Sequence, residues 1–253
     1  AHVRRRARRA RGAFHYYTGY HAKFERNVPL ALRSFKAALA DLDAIGARAA
    51  TGDVHDALGV LLRAAGDPVQ AMASFQHELL IARERGDDHL ITQALVHLAA
   101  CHADLDKPGV AVAYLDSCPA RSNADRSAVL NERARILELQ GRDKDALDEL
   151  EKSQAFASRT DNEWDELPVL TPMARSCYRL GDMRRGLRVS QQCADVAERM
   201  HDLTAECGCL VLAGEGLHAL GDMNGAETAL RKAMDLARIT GNIGVSRELG
   251  DEG

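Results

Sequence analysis

A fixed period governs this chain. A small residue, followed four and then seven positions later by residues of the same helical face, occurs six times. The sets are Ala31, Phe35, Ala38; Ala71, Phe75, Glu78; Ala111, Leu115, Cys118; Ala146, Leu150, Ser153; Gly186, Ser190, Cys193; and Ala226, Leu230, Ala233. Their first members step by 40, 40, 35, 40 and 40 residues. Twelve positions upstream of each stands another small residue: Gly19, Gly59, Ala99, Ala134, Ala174 and Gly214. Two helices must approach closely there. A period in this range is the mark of a stacked array rather than of an ordinary globular core.

Short polar turns separate the paired helices: "GDP" at 66–68, "DKP" at 106–108, "GRD" at 141–143 and "GDM" at 181–183 and 221–223. Glycine suits the left-handed residue that ends a helix, and the following aspartate can cap the next one. Pro29, Pro68 and Pro108 stand at first-turn positions, whose amides have no helical acceptor. Aromatics make up only 4% of the 253 residues. The chain is therefore expected to be all-α, a right-handed superhelical solenoid of about six helix-turn-helix units.

At this point the chain resembles the tetratricopeptide-repeat (TPR) family. Leu58-Gly59, the turn glycine Gly66, Ala71 and Phe75 carry the likeness, which covers about residues 12–242. The longer units are similar to the roughly 40-residue bacterial variants of signalling and regulatory proteins. The family's tryptophan near the start of the first helix is absent, and prolines between units are scarce. Expected boundaries are an Arg-rich lead-in at 1–11, a solenoid over 12–242 and the start of a further helix or truncated cap at 243–253. The units fall at about 12–46, 52–86, 92–118, 124–160, 164–201 and 204–241.

The pattern breaks twice. Pro119 should end the third unit's second helix early. Pro168 and Pro172 fall in the first helix of unit five, where a late start is expected, with Thr171 as cap and Pro172 opening the helix. Trp164, the chain's only tryptophan, is expected to fill the resulting gap.

No stretch approaches the roughly 20 apolar residues of a membrane span, and a cytoplasmic location is expected. The six cysteines are spread through a chain large enough to need no bridge, and are expected to be reduced thiols. The formal charge is −4, but residues 1–36 hold ten Lys or Arg against Glu25 alone, leaving −13 for the rest. Six arginines at 4–11 could contact phosphates, yet no aromatics interleave them, so nucleic acid is not the expected partner. The sequence begins at Ala1 rather than methionine, as a fragment or processed product would.

Phosphate-loop, HExxH and G-x-S-x-G signatures are missing, and no strand hosts a dinucleotide fingerprint. "GEG" at 214–216 lies in a helix and reads as close packing. His97 with Cys101, and Cys207 with Cys209, supply too few convergent ligands, so neither metal nor cofactor is expected.

The resemblance implies binding through inward-facing residues of each first helix. These are Tyr16, Tyr20, Lys23, Asp53, Asp56, Arg63, Gln93, Asn131, Arg135, Glu138, Arg175, Tyr178, Glu215 and His218. The family's carboxylate clamp is not reproduced, since Tyr16 and Tyr20 occupy its places, which disfavours chaperone-tail binding. A non-catalytic protein- or peptide-binding scaffold follows, as the sensory or regulatory module of a larger bacterial signalling protein, for example one with a diguanylate cyclase. The alternatives are a small-effector-binding domain of a transcription regulator and, more weakly, an enzyme with a site near Pro168 and Pro172. Self-association through the uncapped C-terminal end is a further expectation.

Overall fold

The computed structural model describes residues 2–240, so the segment expected to begin a further helix or cap at 243–253 lies outside the described residues. Helices occur in sequential pairs and divide between two compact units, Ala1–Arg121 and Ser122–Gly253. The first unit contains α1 (His2–Phe24), α2 (Val28–Asp43), α3 (Arg48–Ala64), α4 (Pro68–Arg85), α5 (Asp88–Asp104) and α6 (Pro108–Asp116). The second contains α7 (Asn123–Leu139), α8 (Asp143–Ala157), α9 (Leu167–Arg179), α10 (Met183–Arg199), α11 (Leu203–Ala219) and α12 (Met223–Thr240). No strand occurs among the described residues. None of the helices described is long and apolar enough to cross a membrane.

The turns form as their residues dictate. Gly66, Gly181 and Gly221 take φ of 84°, 81° and 85°, a region that a side chain disfavours. The aspartates that follow turn back to cap: Asp67 Oδ1 accepts from the Gln70 amide at 2.9 Å, Asp182 from Arg185 at 3.1 Å and Asp222 from Gly225 at 2.9 Å. Ser122 and Asp125 make a reciprocal capping box that starts α7. As expected, α6 ends before Pro119.

Packing explains the small residues twelve positions upstream. A Cβ at Gly19 would come within 2.7 Å of the Phe35 ring, one at Gly59 within 2.5 Å of Phe75, and one at Gly214 within 2.7 Å of Leu230. The glycine of a first helix thus seats the large side chain sixteen positions later. Phe35, Phe75, Leu115 and Leu150 are buried there, each worth about 1.5–3 kcal/mol relative to exposure. Charges one repeat apart pair on the surface: Arg48 with Glu84 at 2.7 Å, Arg63 with Asp104 at 2.6 Å and Arg199 with Glu163 at 3.0 Å. Such exposed pairs add little individually.

Three expectations are corrected. The helix at the proline pair begins at Leu167, with Pro168 in its first turn and Pro172 inside it; Thr171 is no cap. Pro172 has no amide for the carbonyl of Pro168, and the Asn131 side chain donates to that carbonyl instead, at 3.2 Å. The helix therefore continues through the proline. Trp164 fills no gap: it stands in a short 3-10 turn, Glu163–Asp165, and is exposed. Finally, the cysteines are not all free thiols. Packing of α10 on α11 brings Cys193 and Cys209 together, with Cα atoms 5.8 Å apart, and they form a disulfide; Cys177 and Cys207 are free thiols.

Candidate functional site

The first unit holds a pocket of about 130 Å³ bounded by four helices. Tyr16 comes from α1, Gly52, Asp53 and Asp56 from α3, Glu78, Ile81, Ala82 and Arg85 from α4, and Leu90 and Gln93 from α5. Four of the residues named from the sequence, Tyr16, Asp53, Asp56 and Gln93, meet here. Asp53 and Asp56 are three apart on α3 and so share a face. Tyr16 is half-buried and packs edge-on against Tyr20, with ring centroids 5.1 Å apart. Its hydroxyl pKa is pushed up, chiefly by burial and then by Tyr20. Burial likewise raises the Asp53 carboxyl, opposed by Arg85 and reinforced by Asp56.

Sequence reasoning missed Glu78 as a functional residue. It stands at the third place of the second-helix pattern, where Ala38, Ser153, Cys193 and Ala233 are small and fully buried. A carboxylate at a register position otherwise held by small residues was the available signal. Glu78 is only 4% exposed, and its pKa is raised by burial, opposed by His97 and raised again by Asp56 and Asp53. His97, from α5, lies on the Phe75 ring at 4.6 Å between centroids and places Nδ1 3.3 Å from Asp56 Oδ1 and 4.0 Å from Glu78 Oε2. The cysteines of the two sequence-derived ligand pairs lie elsewhere: Cys101 is buried in the core and Cys207 Sγ donates to the Ala233 carbonyl at 3.3 Å.

The remaining named residues have other neighbours. Lys23 sits over the Tyr20 ring at 5.5 Å, Arg63 is bound to Asp104, and Arg135 is forked onto Glu132 with a shortest contact of 2.7 Å. Glu138 accepts from Ser176 at 2.7 Å and pairs with Arg179. Asn131 is engaged by Pro168 as described, and Tyr178 is packed inside the second unit. Arg175, Glu215 and His218 are exposed. In the Arg-rich segment, Arg5 donates to the Ile45 carbonyl at 3.1 Å and Arg11 is forked onto the buried Asp41, which holds that carboxyl below its ordinary range.

Helical hairpins in register, all but the fifth seating a large side chain of the second helix on a small residue of the first, define a repeat protein of the helix-turn-helix class. No family model matches the sequence, and no curated protein matches it. Solved structures give the more particular answer. A STAND signal-transduction ATPase with a tetratricopeptide repeat sensor, from Pyrococcus horikoshii, superimposes with a TM-score of 0.68 at 13% identity over 89% of this chain. The chain spans only 34% of that protein's length. A Rap protein complexed with Competence and Sporulation Factor gives 0.69 at 13% identity, over 94% of this chain and 72% of that one. TPR-like repeats of a Podosopora anserina kinesin light chain give 0.55 at 15% identity, over 74% and 95%. The fold is that of the TPR-like repeat proteins.

Proposed function

We propose that this chain is a non-catalytic protein- or peptide-binding repeat module, the regulatory part of a larger bacterial signalling protein. Its N-terminal unit takes a basic side chain of the partner into the pocket between Tyr16 and Gln93. The observation that carries this reading is the charge of the pocket: among the described residues, Asp53, Asp56 and Glu78 line it with Arg85 as the only cation. A lysine or arginine entering there has carboxylate acceptors, and the Tyr16 ring lines the same space. The volume, about 130 Å³, suits a single side chain; sites for free small molecules run to roughly 300–1,000 Å³. The likeness to a sensor array and to a Rap protein complex supports a regulatory role.

The test is binding of synthetic peptides that differ at one central position, lysine, arginine, glutamate or leucine, to the full chain in the presence of chelator. Lysine and arginine peptides should be retained, and Asp53→Asn with Asp56→Asn should release them without loss of helicity. Retention that ignores the central charge, or survives both substitutions, overturns the proposal.

A further inference from the structure

Among the described residues, one buried carboxylate has an oxygen with no hydrogen-bond partner. Among the described residues the buried acids are Asp41, Glu78, Asp125 and Glu206. Arg11 forks onto Asp41, Asp125 sits in its capping box and Lys232 reaches Glu206 at 2.8 Å. The Glu78 side chain is as buried as that of Glu206, at 5% exposure against 4%, yet its Oε2 has no hydrogen-bond partner within the protein. The same holds for two atoms beside it, Asp56 Oδ1 and His97 Nδ1. Leaving one such atom unsatisfied costs about 1–3 kcal/mol, more if it is charged. Three that converge on one point, from α3, α4 and α5, require a common explanation.

The geometry supplies one. One donor atom from each of the three residues lies within 4.8 Å of the others, with separations of 3.3 Å from His97 to Asp56 and 4.0 Å from His97 to Glu78. Oxygen and imidazole donors about 2.0–2.2 Å from a shared divalent ion are separated by roughly 3–3.5 Å, so carboxylate shifts of about an ångström close the set. We propose that Asp56, Glu78 and His97 bind a divalent first-row transition-metal ion of the Zn2+ class. The nitrogen donor and the small number of oxygens argue against Ca2+, which takes about 6–8 oxygen ligands. Asp56 and Glu78 also line the pocket, so the remaining coordination positions open toward it.

This proposal does not rest on the partner reading, because it is tested without any peptide. The chelator-treated full chain is titrated calorimetrically with Zn2+, and its Tm is followed with and without the ion. One saturable equivalent and a rise in Tm are expected. Asp56→Asn, Glu78→Gln and His97→Gln should each weaken binding by about tenfold or more and remove the rise. Glu78→Gln should not lower the Tm of the chelated protein, since it removes a buried charge, and this separates a lost ligand from a damaged fold. Co2+ reports the donor set: the bound ion should show no thiolate charge-transfer band. Absence of a saturable equivalent, unchanged affinity in Glu78→Gln and Asp56→Asn, or a thiolate band each overturns the proposal.

Discussion

The hydroxyls of Tyr178 and Ser190 lie 3.1 Å apart, between α9 and α10. Ser190 occupies the register position filled by Phe35, Phe75, Leu115, Leu150 and Leu230 in the other repeats. The volume missing there is made up from the opposite helix. A Cβ at Gly186 would come within 2.4 Å of the Tyr178 ring, and one at Gly216 within 2.3 Å of its hydroxyl, so both glycines make room for the tyrosine. Burial first of all raises the Tyr178 pKa, while the bond to Ser190 opposes it.

Tyr178 is therefore expected to contribute stability. Tyr178→Ala should cost roughly 3 kcal/mol by urea unfolding, and Gly216→Ala about 1–3 kcal/mol through overpacking. Arg175→Ala, an exposed change on the same helix, should stay within about 0.5 kcal/mol. Equal effects at 175 and 178 would reject the wedge.

The contrast shows where sequence reasoning reaches and where it stops. Six sets in register locate the paired helices because buried positions recur with the period. First-helix positions likewise point to Tyr16, Asp53, Asp56 and Gln93, which the structure gathers. Tyr178 looks the same by register, yet the serine twelve residues later draws it inward, a compensation visible only across the helix pair. Glu78 was in plain view as a mark of the period, and its charge at a small-residue position carried the meaning. Local spacing pairs His97 with Cys101, four residues along its own helix, whereas the carboxylates beside its Nδ1 come from α3 and α4. Pairing across helices has no signature in local spacing.

A second compensation, at the proline elbow, is open to a double-mutant cycle. With Pro172 in place, Asn131 Nδ2 is the donor to the Pro168 carbonyl at 3.2 Å. Asn131→Ala should cost about 0.5–1 kcal/mol in the native background. In a Pro172→Ala background the helix regains an amide for that carbonyl, and the same change should be close to silent. Chemical denaturation of the four proteins measures the coupling; additive effects would mean that the asparagine does not replace the missing amide.

His55 makes stability depend on acid. Burial foremost, then the neighbouring His77 charge, pushes its pKa from 6.5 down to about 4, against a weaker opposite pull from Asp43. The two imidazoles stack with centroids 4.8 Å apart. Between those values the unfolded chain binds the proton that the folded one refuses, so stability falls as the pH drops from 6.5 toward 4. The loss should amount to about 1–2 kcal/mol once solvent screening of a partly exposed ring is allowed for. Denaturation midpoints from pH 7 to pH 4 should flatten in this window for His55→Gln; an unchanged slope would assign the acid sensitivity elsewhere.

The two proposals for the pocket make a joint prediction, because a basic side chain and a divalent cation draw on the same carboxylates. With the floor formed by Asp53, Asp56 and Glu78, an ion held by two of the three leaves less negative charge for a lysine. At the separations and dielectric of such a site the change is on the order of 1.4 kcal/mol, about tenfold in affinity. Saturating Zn2+ should therefore weaken a lysine peptide about tenfold in fluorescence anisotropy, with chelator restoring it. In Glu78→Gln, the ion should have little effect while the peptide still binds through Asp53 and Asp56. Peptide affinity indifferent to Zn2+ in the native chain would separate the two sites, and equal antagonism in Glu78→Gln would place the competing ion away from this cluster.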